Sequence, residues 1–514
     1  MKLFSQRISV IIMASLFAIS GCKEPNNTKI DEETFIVYKS APNASTESGT
    51  PAMSAPVTDP SLEIWINEYD KKETQRKAQE KAARQIRSAL AASQQSQKSV
   101  KTPLAAQEDI DKVAVRVKNL KGSIKKAANG AITFIKLEAT GGDANSESAI
   151  KLDDMKLIGR LYDLESIFFA GEVFTDEYIA ELKDLKKLTS VTLNNTNIQD
   201  ASLEVLATLP ELTSLDLRRN LKLTNDSLVI LQKMPKIEKL YIHYNSFTNS
   251  GVAKLRKIPT LKLVDTRGCI DISDNSAKYL SALPELEEVY FRSGLSNQAV
   301  EYLTAAPKLK FIEFQDSNIN EGSVEFFKKI PSLTGLRIFR CKSFNDEAIK
   351  GIASIPFERL ELRDLNISNE GLAALKDLQG IKKLELSELA SVNSDGLNNV
   401  LTSIKNLDIF NLFSIPLNDQ GMEIIVQNNP DLKELTVRSV ALTDVGIDSI
   451  IKLNKLEVLD LRENEKFSPD AILKLAQIKT LKRLYLKSTG IVARGNEEKL
   501  AELKKALPKC DIKE

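Results

Sequence analysis

A short motif repeats through most of this chain. The pattern L-x-x-L-x-L-x-x-(N/T/C), in which Ile, Val or Phe can replace Leu, recurs about every 24 residues up to residue 512. A period of this length is typical of a solenoid, in which each repeat packs only against its neighbours. Copies are predicted to begin at Ile132, Leu164, Leu188, Leu212, Ile237, Leu261, Leu286, Leu309, Leu333, Phe357, Ile381, Ile404, Leu432, Leu456 and Leu481, with a half-copy at 507–512.

Each repeat is expected to form one strand and one helix. In the copy at Leu212, Leu215 and Leu217 alternate with polar residues, which indicates a short strand with one buried face. Residues 224–226 (Thr-Asn-Asp) can start a helix, and Pro235 ends it. Parallel strands lie ~4.8 Å apart, whereas packed helices need ~9 Å. Stacked repeats should therefore curve, with the sheet on the concave side.

Residues 131–514 resemble leucine-rich-repeat proteins of the class with a helix in every unit, such as ribonuclease-inhibitor-like and F-box-associated repeats. The resemblance implies an α/β solenoid of about 15 repeats: a curved horseshoe with a parallel sheet on its concave face and helices on its convex face. It also implies a protein-binding surface without identifying the partner. The chain departs from the pattern where Leu365, Leu389, Leu412 and Val440 replace the ninth-position Asn, Thr or Cys.

One interval is also longer than the others. The copies at Ile404 and Leu432 are 28 residues apart, which predicts an extra turn or bulge near residues 413–427.

Residues 1–21 have the pattern of a signal peptide. Lys2 and Arg7 precede an apolar run at 10–19 that is shorter than the ~20 residues of a spanning helix. The sequence before Cys22 resembles the lipobox of bacterial lipoproteins, which implies cleavage before Cys22 and its lipidation. With Lys23 rather than Asp next, the expected location is the cell envelope, anchored by lipid in the outer membrane. An ordinary secretory signal is the alternative.

Residues 22–130 precede the repeats. The segment 22–60 is rich in Pro, Ser, Thr and Ala and is predicted to be a flexible tether. Within 61–130, residues 61–99 predict a polar helix, either loosely attached or partner-binding. Apolar residues at helical spacing over 110–127, before Asn129-Gly130, predict a helix that caps the first repeat. A helix at 498–507 is expected to cap the other end.

The cysteines predict neither a disulfide nor a metal site. Cys269 and Cys341 occupy the ninth position of their copies, where a small buried side chain can face the bend, and they are three repeats apart. Cys510 is expected at an inward-pointing strand position. No metal-ligand spacing is present, and no cofactor is expected.

Outward-facing strand positions form two columns in the predicted sheet, one mainly acidic and one mainly basic. The first includes Tyr241, Asp265, Tyr290, Glu313, Arg337 and Asp408, and the second includes Arg218, His243, Arg267, Arg292, Arg363 and Phe410. Because Tyr and Arg are enriched in binding hot spots, two groups are candidate partner contacts. The first patch is Arg218, Arg219, Tyr241, His243, Tyr244, Arg267, Tyr290 and Arg292; the second is Phe339, Arg340, Arg363 and Phe410. The alternative is that these charges pair with one another and only aid solubility.

Other function classes are less well supported. With 71 basic and 70 acidic side chains, a net charge of +1 gives no bulk attraction to nucleic acid. Glu361 and Glu385 could stand at a retaining-glycosidase spacing, but Arg359, Arg363 and Lys383 should keep both ionised. The single histidine leaves no catalytic triad. We therefore expect a monomeric, membrane-anchored protein-binding module and no enzyme; a glycan- or peptidoglycan-binding lipoprotein is the alternative.

Overall fold

A computed structural model describes residues 105–139, 149–493 and 495–514. Within them, a sheet of 17 strands runs along the repeats. The first strand pairs antiparallel with the second, and from the second to the sixteenth each strand pairs in parallel with the next one along the chain. The predicted α/β leucine-rich-repeat solenoid is therefore confirmed. The predicted signal peptide, the tether and the 61–99 helix lie outside the described residues.

The strands are β1 (Ser123–Lys126), β2 (Ile132–Glu138), β3 (Ser166–Ala170), β4 (Ser190–Asn194), β5 (Ser214–Asp216), β6 (Lys239–Tyr241), β7 (Leu263–Asp265), β8 (Glu288–Arg292), β9 (Phe311–Gln315), β10 (Gly335–Phe339), β11 (Arg359–Arg363), β12 (Lys383–Ser387), β13 (Ile409–Phe413), β14 (Glu434–Arg438), β15 (Val458–Asp460), β16 (Arg483–Tyr485) and β17 (Asp511–Lys513).

The α-helices are α1 (Gln107–Asn119), α2 (Leu152–Ile158), α3 (Asp176–Ala180), α4 (Asp200–Leu206), α5 (Ser227–Ile230), α6 (Asn249–Val252), α7 (Asp274–Leu280), α8 (Asn297–Leu303), α9 (Val324–Phe327), α10 (Asp346–Ile352), α11 (Asn369–Ala373), α12 (Ser394–Leu401), α13 (Asp419–Asn428), α14 (Asp444–Ile450), α15 (Pro469–Leu473) and α16 (Glu497–Ala506). Short 3-10 helices are Leu231–Lys233, Ala253–Lys257, Glu321–Ser323, Ala374–Asp377, Lys474–Gln477 and Gly490–Val492.

The first, fourth and sixth motif positions point into one continuous apolar core. In the copy at Leu212, Leu215 and Leu217 are fully buried, and equivalent residues of successive copies pack against them. Because each copy buries its apolar face against its neighbours, stacking supplies the stability that a single copy lacks.

The bend after each strand depends on two consecutive positions. Every copy from Leu188 to Leu481 has a left-handed residue at its eighth position, for example Arg219, Tyr244 and Arg340. At the ninth, Asn220 donates to the carbonyls of Leu193 and Leu217 at 2.8 Å, and its Oδ1 accepts from Thr196 N at 2.8 Å. These bonds satisfy backbone groups that the turn removes from the sheet ladder.

The ninth-position cysteines behave as predicted. Cys269 is fully buried, and its thiol donates to the carbonyl of Ile242 at 3.2 Å. Burial raises the pKa of Cys269 to about 11 and that of Cys341 to about 12, so both thiols remain protonated at neutral pH. The cysteines among the described residues, including Cys510, are free.

The copy predicted to begin at Ile404 begins at Leu407 instead. Leu384 pairs in register with Phe410, and Leu386 with Leu412, so Phe410 occupies the fourth position. Ser414 then adopts the left-handed conformation of an eighth-position residue. The extra residues therefore precede the strand, and the predicted extra turn at 413–427 was wrong. Ile404 matched the motif because it is also buried, just ahead of the true start.

The N-terminal cap differs from its prediction in extent. Helix α1 buries Ile110, Val113 and Val117 against the core, but it ends at Asn119 rather than near residue 127. Lys121 adopts a left-handed conformation, and Gly122 N donates to the carbonyl of Val117 at 2.8 Å, which closes the helix as a Schellman motif. Residues 123–126 then form β1, so Asn129-Gly130 is the turn of a hairpin.

The C-terminal cap helix was predicted to within one residue, since α16 is Glu497–Ala506 and buries Leu500 and Leu503. The strand after it was misplaced by two residues. Ile512 takes the fourth motif position by pairing with Leu484, whereas Cys510 precedes the strand and is half-buried against the core. The short final copy contains two apolar residues that both match the motif, and only the pairing with β16 distinguishes them.

Helix-start residues also link neighbouring repeats. The carboxylate of Asp419, the first residue of α13, accepts from Thr443 N at 2.9 Å and Thr443 Oγ1 at 2.7 Å in the next repeat. Asp346 accepts from Ser368 in the same way. Besides starting helices, as predicted for residues 224–226, such residues form bonds that hold successive copies in register.

Candidate binding surface on the concave sheet

The outward-facing strand positions line up across the sheet as the two columns predicted. One column includes Asp265, Tyr290, Glu313 and Arg337, which pair in that order. The prediction failed at β13, where Asn411 and Phe413 take the outward places expected for Asp408 and Phe410. Phe410 is fully buried in the core, so its assignment to the second patch was wrong. The three-residue shift of the repeat start is the cause.

Buried carboxylates hold the arginines of the sheet in fixed positions. Asp265 and Glu313 each have a side chain 1% exposed, and the guanidinium of Arg267 bridges them at 2.7 and 3.0 Å. Arg337 in turn lies 3.4 Å from Glu313 and 3.3 Å from Glu361. Charged groups are thus connected across several strands, where isolated buried charges would be strongly unfavourable.

The pKa values of the two central glutamates, Glu361 and Glu313, are shifted in opposite directions. Burial would raise the pKa of Glu361, but Lys383 and Arg359, each 2.6 Å away, outweigh that effect and lower it. Burial dominates for Glu313, whose pKa is raised despite Arg337 and Arg267. The expected ionised state therefore has direct support at Glu361.

The sequence analysis expected Arg363 to lie beside Glu361 and Glu385, and this prediction was wrong. Arg363 contacts Glu388 at 2.7 Å on the neighbouring strand. It therefore lies on the side of the sheet where the strands end, away from the pair formed by Glu361 and Lys383.

Two residues of the first patch, His243 and Arg218, lie close to carboxylates of the sheet. His243 is 8% exposed, and its Nδ1 lies 3.1 Å from Oδ2 of Asp265, a close approach rather than an aligned hydrogen bond. Burial would raise the pKa of Asp265, but His243 and Arg267 outweigh it and lower that pKa. Arg218 is held by Asp216 through Nε, 2.9 Å from each carboxylate oxygen.

The three tyrosines of this patch differ in their contacts and in their exposure to solvent. Tyr290 has its ring 5.2 Å from the Arg267 guanidinium, and its hydroxyl donates to Glu288 at 2.5 Å. Tyr241 is half-buried, and burial raises its pKa. Tyr244 is 38% exposed and is the most accessible of the three.

The other residues of the first patch meet at the edge where the strands end. The guanidinium of Arg219 lies 5.2 Å from the Tyr244 ring centroid, and Arg292 donates to the Tyr244 hydroxyl at 2.6 Å. Arg292 also contacts Asp316 at 2.8 Å. The first patch is therefore two groups, one sunk in the sheet and one along its edge.

The second patch joins the edge group through Asp316. Arg340 contacts Asp316 at 2.6 Å, and this hydrogen bond lowers the pKa of that carboxylate. Arg340 and Arg363 lie 4.2 and 4.6 Å from the ring centroid of Phe339. Phe413 continues the series, with Arg363 and Arg438 at 5.7 and 4.6 Å.

These contacts form one arginine–aromatic band along the edge of the sheet, crossing ten consecutive repeats over roughly 40 Å. Its members are Arg219, Tyr244, Arg292, Asp316, Phe339, Arg340, Arg363, Phe413 and Arg438. The sequence analysis missed Asp316 and Phe413 and did not place Arg438 in a patch. A repeat start at Leu407 would have identified Phe413, whereas the direction of Asp316 depends on the left-handed conformation that the structure shows at the eighth position.

The described residues contain no group of three or more His, Cys, Asp or Glu side chains arranged to hold a metal ion. None of their helices combines the length and apolar character needed to cross a bilayer.

Comparison with known proteins agrees with the fold. A leucine-rich-repeat family model matches residues 186–247. Ribosomal RNA large subunit methyltransferase H of Fusobacterium nucleatum is 28% identical over 121 residues, which cover 24% of this chain and 72% of that protein.

Two solved structures are also similar. The yeast Rad7–Elc1 complex matches with TM-score 0.46 and 15% identity, covering 68% of this chain and 86% of that one. A TLR13–ssRNA13 complex matches with TM-score 0.40 and 15% identity, covering 65% and 57%. Such distant likenesses concern the fold alone. The leucine-rich-repeat domain of this chain rests on the family model over residues 186–247 and on the repeat register described above.

We predict that Glu361→Gln destabilises the fold at pH 7 by about 2–3 kcal/mol, because Arg359 and Lys383 lose a buried partner. The pKa of Glu361 is lowered on folding, so its contribution exists above the ordinary value of 4.5 and is lost as the pH falls through the folded value. The deficit should therefore shrink in urea unfolding at pH 3–4.

Glu313→Gln is the matched control, because its raised pKa has the opposite sign: its contribution exists below 4.5 and is lost as the pH rises through the folded value. It should cost less than Glu361→Gln at pH 7. Equal losses from both variants at both pH values would contradict the assignment.

Proposed function

We propose that this chain is a lipid-anchored binding protein that presents the concave side of its repeats to a protein partner. The arginine–aromatic band is the observation that carries the proposal. Arg, Tyr and Trp are the residue types most enriched in interface hot spots. The band supplies Arg219, Arg292, Arg340, Arg363 and Arg438 together with three aromatic rings.

The band is also pre-organised. Asp316 fixes Arg292 and Arg340, while Glu388 fixes Arg363. Immobilising long side chains before binding lowers the entropy lost when a partner docks. Mutual pairing of the charges, the alternative raised by the sequence, is therefore compatible with binding, because it orients the guanidinium planes.

A protein partner is favoured over a glycan. A sugar would need a free aromatic face beside free carboxylates. The hydroxyl of Tyr290 is engaged with Glu288, and Arg267 stacks near its ring. The exclusion of nucleic acid rests only on the net charge of +1 and stays a prediction.

The proposed anchor rests on the sequence of residues 1–22. Acylation of both the Cys22 thiol and its new amine would give a stable attachment, since a single chain binds membranes only marginally. The expected location is the bacterial outer membrane, with the repeats held on one side of it.

Photo-crosslinking tests the binding surface. Benzoylphenylalanine placed at Phe413 should form discrete adducts with a protein in the producing cells, because this position lies within the band. Arg363→Ala/Arg438→Ala should lower the adduct yield about tenfold or more, the loss expected of hot-spot residues.

The same probe at Val445, which is 59% exposed on α14, is the control and should form none of these adducts. Identical adducts from both positions, or none from Phe413, would refute the proposed surface.

Metabolic labelling with palmitate tests the anchor. Label should enter the wild-type chain, and Cys22→Ser should abolish both labelling and membrane fractionation. Cys510→Ser removes a half-buried cysteine in the last repeat and should change neither. Unaltered labelling of the Cys22→Ser chain would exclude this anchor.

A further inference from the structure

Exposed apolar side chains gather at one place on the described part of the chain. Among all the described residues, six large apolar side chains are exposed. Three of these six lie in consecutive repeats, on the side of the sheet where the strands end. These are Leu221 (70% exposed), Tyr244 (38%) and Ile270 (83%), here called the edge cluster. The other three, Val115, Val229 and Val445, lie on separate helices.

The edge cluster follows from the repeat geometry. Leu221 and Ile270 each stand at the tenth position of their copies, immediately after the buried bend residues Asn220 and Cys269. Tyr244 belongs to the copy between them. Single exposed apolar side chains are normal, but three large ones in neighbouring repeats are typical of an interaction site.

Tyr244 is held rigidly in the middle of this cluster. Its ring packs on the backbone of Gly268, where an added Cβ would lie 2.5 Å from the ring Cδ1. Gly268 also has φ +72°, a conformation that favours glycine. Arg292 donates to the hydroxyl from the far side of that repeat. A fixed aromatic ring with accessible surface is the usual anchor of an interface.

The charge around the edge cluster selects the partner. No carboxylate of the described residues lies within 4.0 Å of the Arg219 guanidinium or the Lys222 ammonium, in contrast to Arg292, which has Asp316. Both cations flank Leu221, whereas Asp271 follows Ile270. The Leu221 end of the cluster is therefore positively charged and would attract carboxylates of a partner.

We propose that the edge cluster docks an acidic peptide segment of a protein partner that carries two large apolar side chains. Leu221 and Ile270 are two strands apart, roughly 10 Å. That distance matches residues i and i+7 of a helix or i and i+3 of an extended chain. The carboxylates of the segment face Arg219 and Lys222. This deepens the proposed function and rests on it.

Peptide display tests the proposal. A random 12-residue library is panned on the purified full-length chain, with counter-selection on the Leu221→Ser/Ile270→Ser variant. Enriched peptides should be acidic, with apolar residues three or seven positions apart. Synthetic copies should lose about tenfold or more in affinity for the double variant, and their affinity for the wild type should fall with added salt.

Three variants complete the experiment. Tyr244→Ala and Arg219→Gln should weaken peptide binding, and Val445→Ser, at a separate exposed apolar site, should leave it unchanged. Because Leu221 and Ile270 are exposed, the double variant should unfold at the wild-type urea concentration. Basic or uncharged consensus peptides, or equal binding to wild type and double variant, would overturn the proposal.

Two outcomes separate this proposal from the broader one. Peptide binding lost in Arg363→Ala/Arg438→Ala but kept in Leu221→Ser/Ile270→Ser would overturn the edge cluster and leave the concave surface standing. Concentration-dependent dimers that the double variant abolishes would assign the cluster to a second copy of the chain and overturn the acidic partner. Absence of both peptide binding and Phe413 adducts would remove the proposed function itself.

Discussion

The parallel register between successive strands is the constraint on which the rest of this structure depends. Each strand points its fourth and sixth motif residues into the core and the intervening residues outward, so a shift of one residue would exchange the two faces. Asparagine side chains at some of the bends and aspartates at some of the helix starts form hydrogen bonds to the neighbouring repeat. These bonds help to keep successive repeats in the same register.

The concave sheet combines two layers of charge with different roles. Asp265, Glu313 and Glu361 are almost fully buried and connect strands through shared arginines. Removing one partner of such a network leaves an uncompensated charge, so these residues belong to the stability of the fold. The band at the strand ends is more exposed and aromatic, and its arginines are already oriented. The proposed function therefore places binding at the strand ends and leaves the centre of the sheet to support the fold.

Much of this could be predicted from the sequence, because a strict period fixes which residues share a face. The columns through Tyr241, Tyr290 and Arg337 and the bend role of Cys269 all followed from it. Prediction failed where two apolar residues could satisfy the same motif position. Ile404 and Leu407 are both buried, and only pairing with β12 selects Leu407, which moved Phe410 inside and Phe413 outside.

Other errors had local physical causes. The apolar spacing over 110–127 fits a helix, but Lys121 and Gly122 close α1 early and Asn129-Gly130 favours a hairpin. His243 stands in an outward column, yet its side chain is buried beside the Asp265 carboxylate. Asp316 joins the two patches through a left-handed eighth position whose direction a linear motif does not encode.

The most direct test of the register is the stability of two neighbouring variants measured by urea unfolding. Phe410→Ala removes a fully buried ring and should cost about 3–5 kcal/mol. Phe413→Ala removes a half-buried ring of the band and should cost well under half as much. Equal losses, or a larger loss from Phe413→Ala, would contradict the register and every surface assignment built on it.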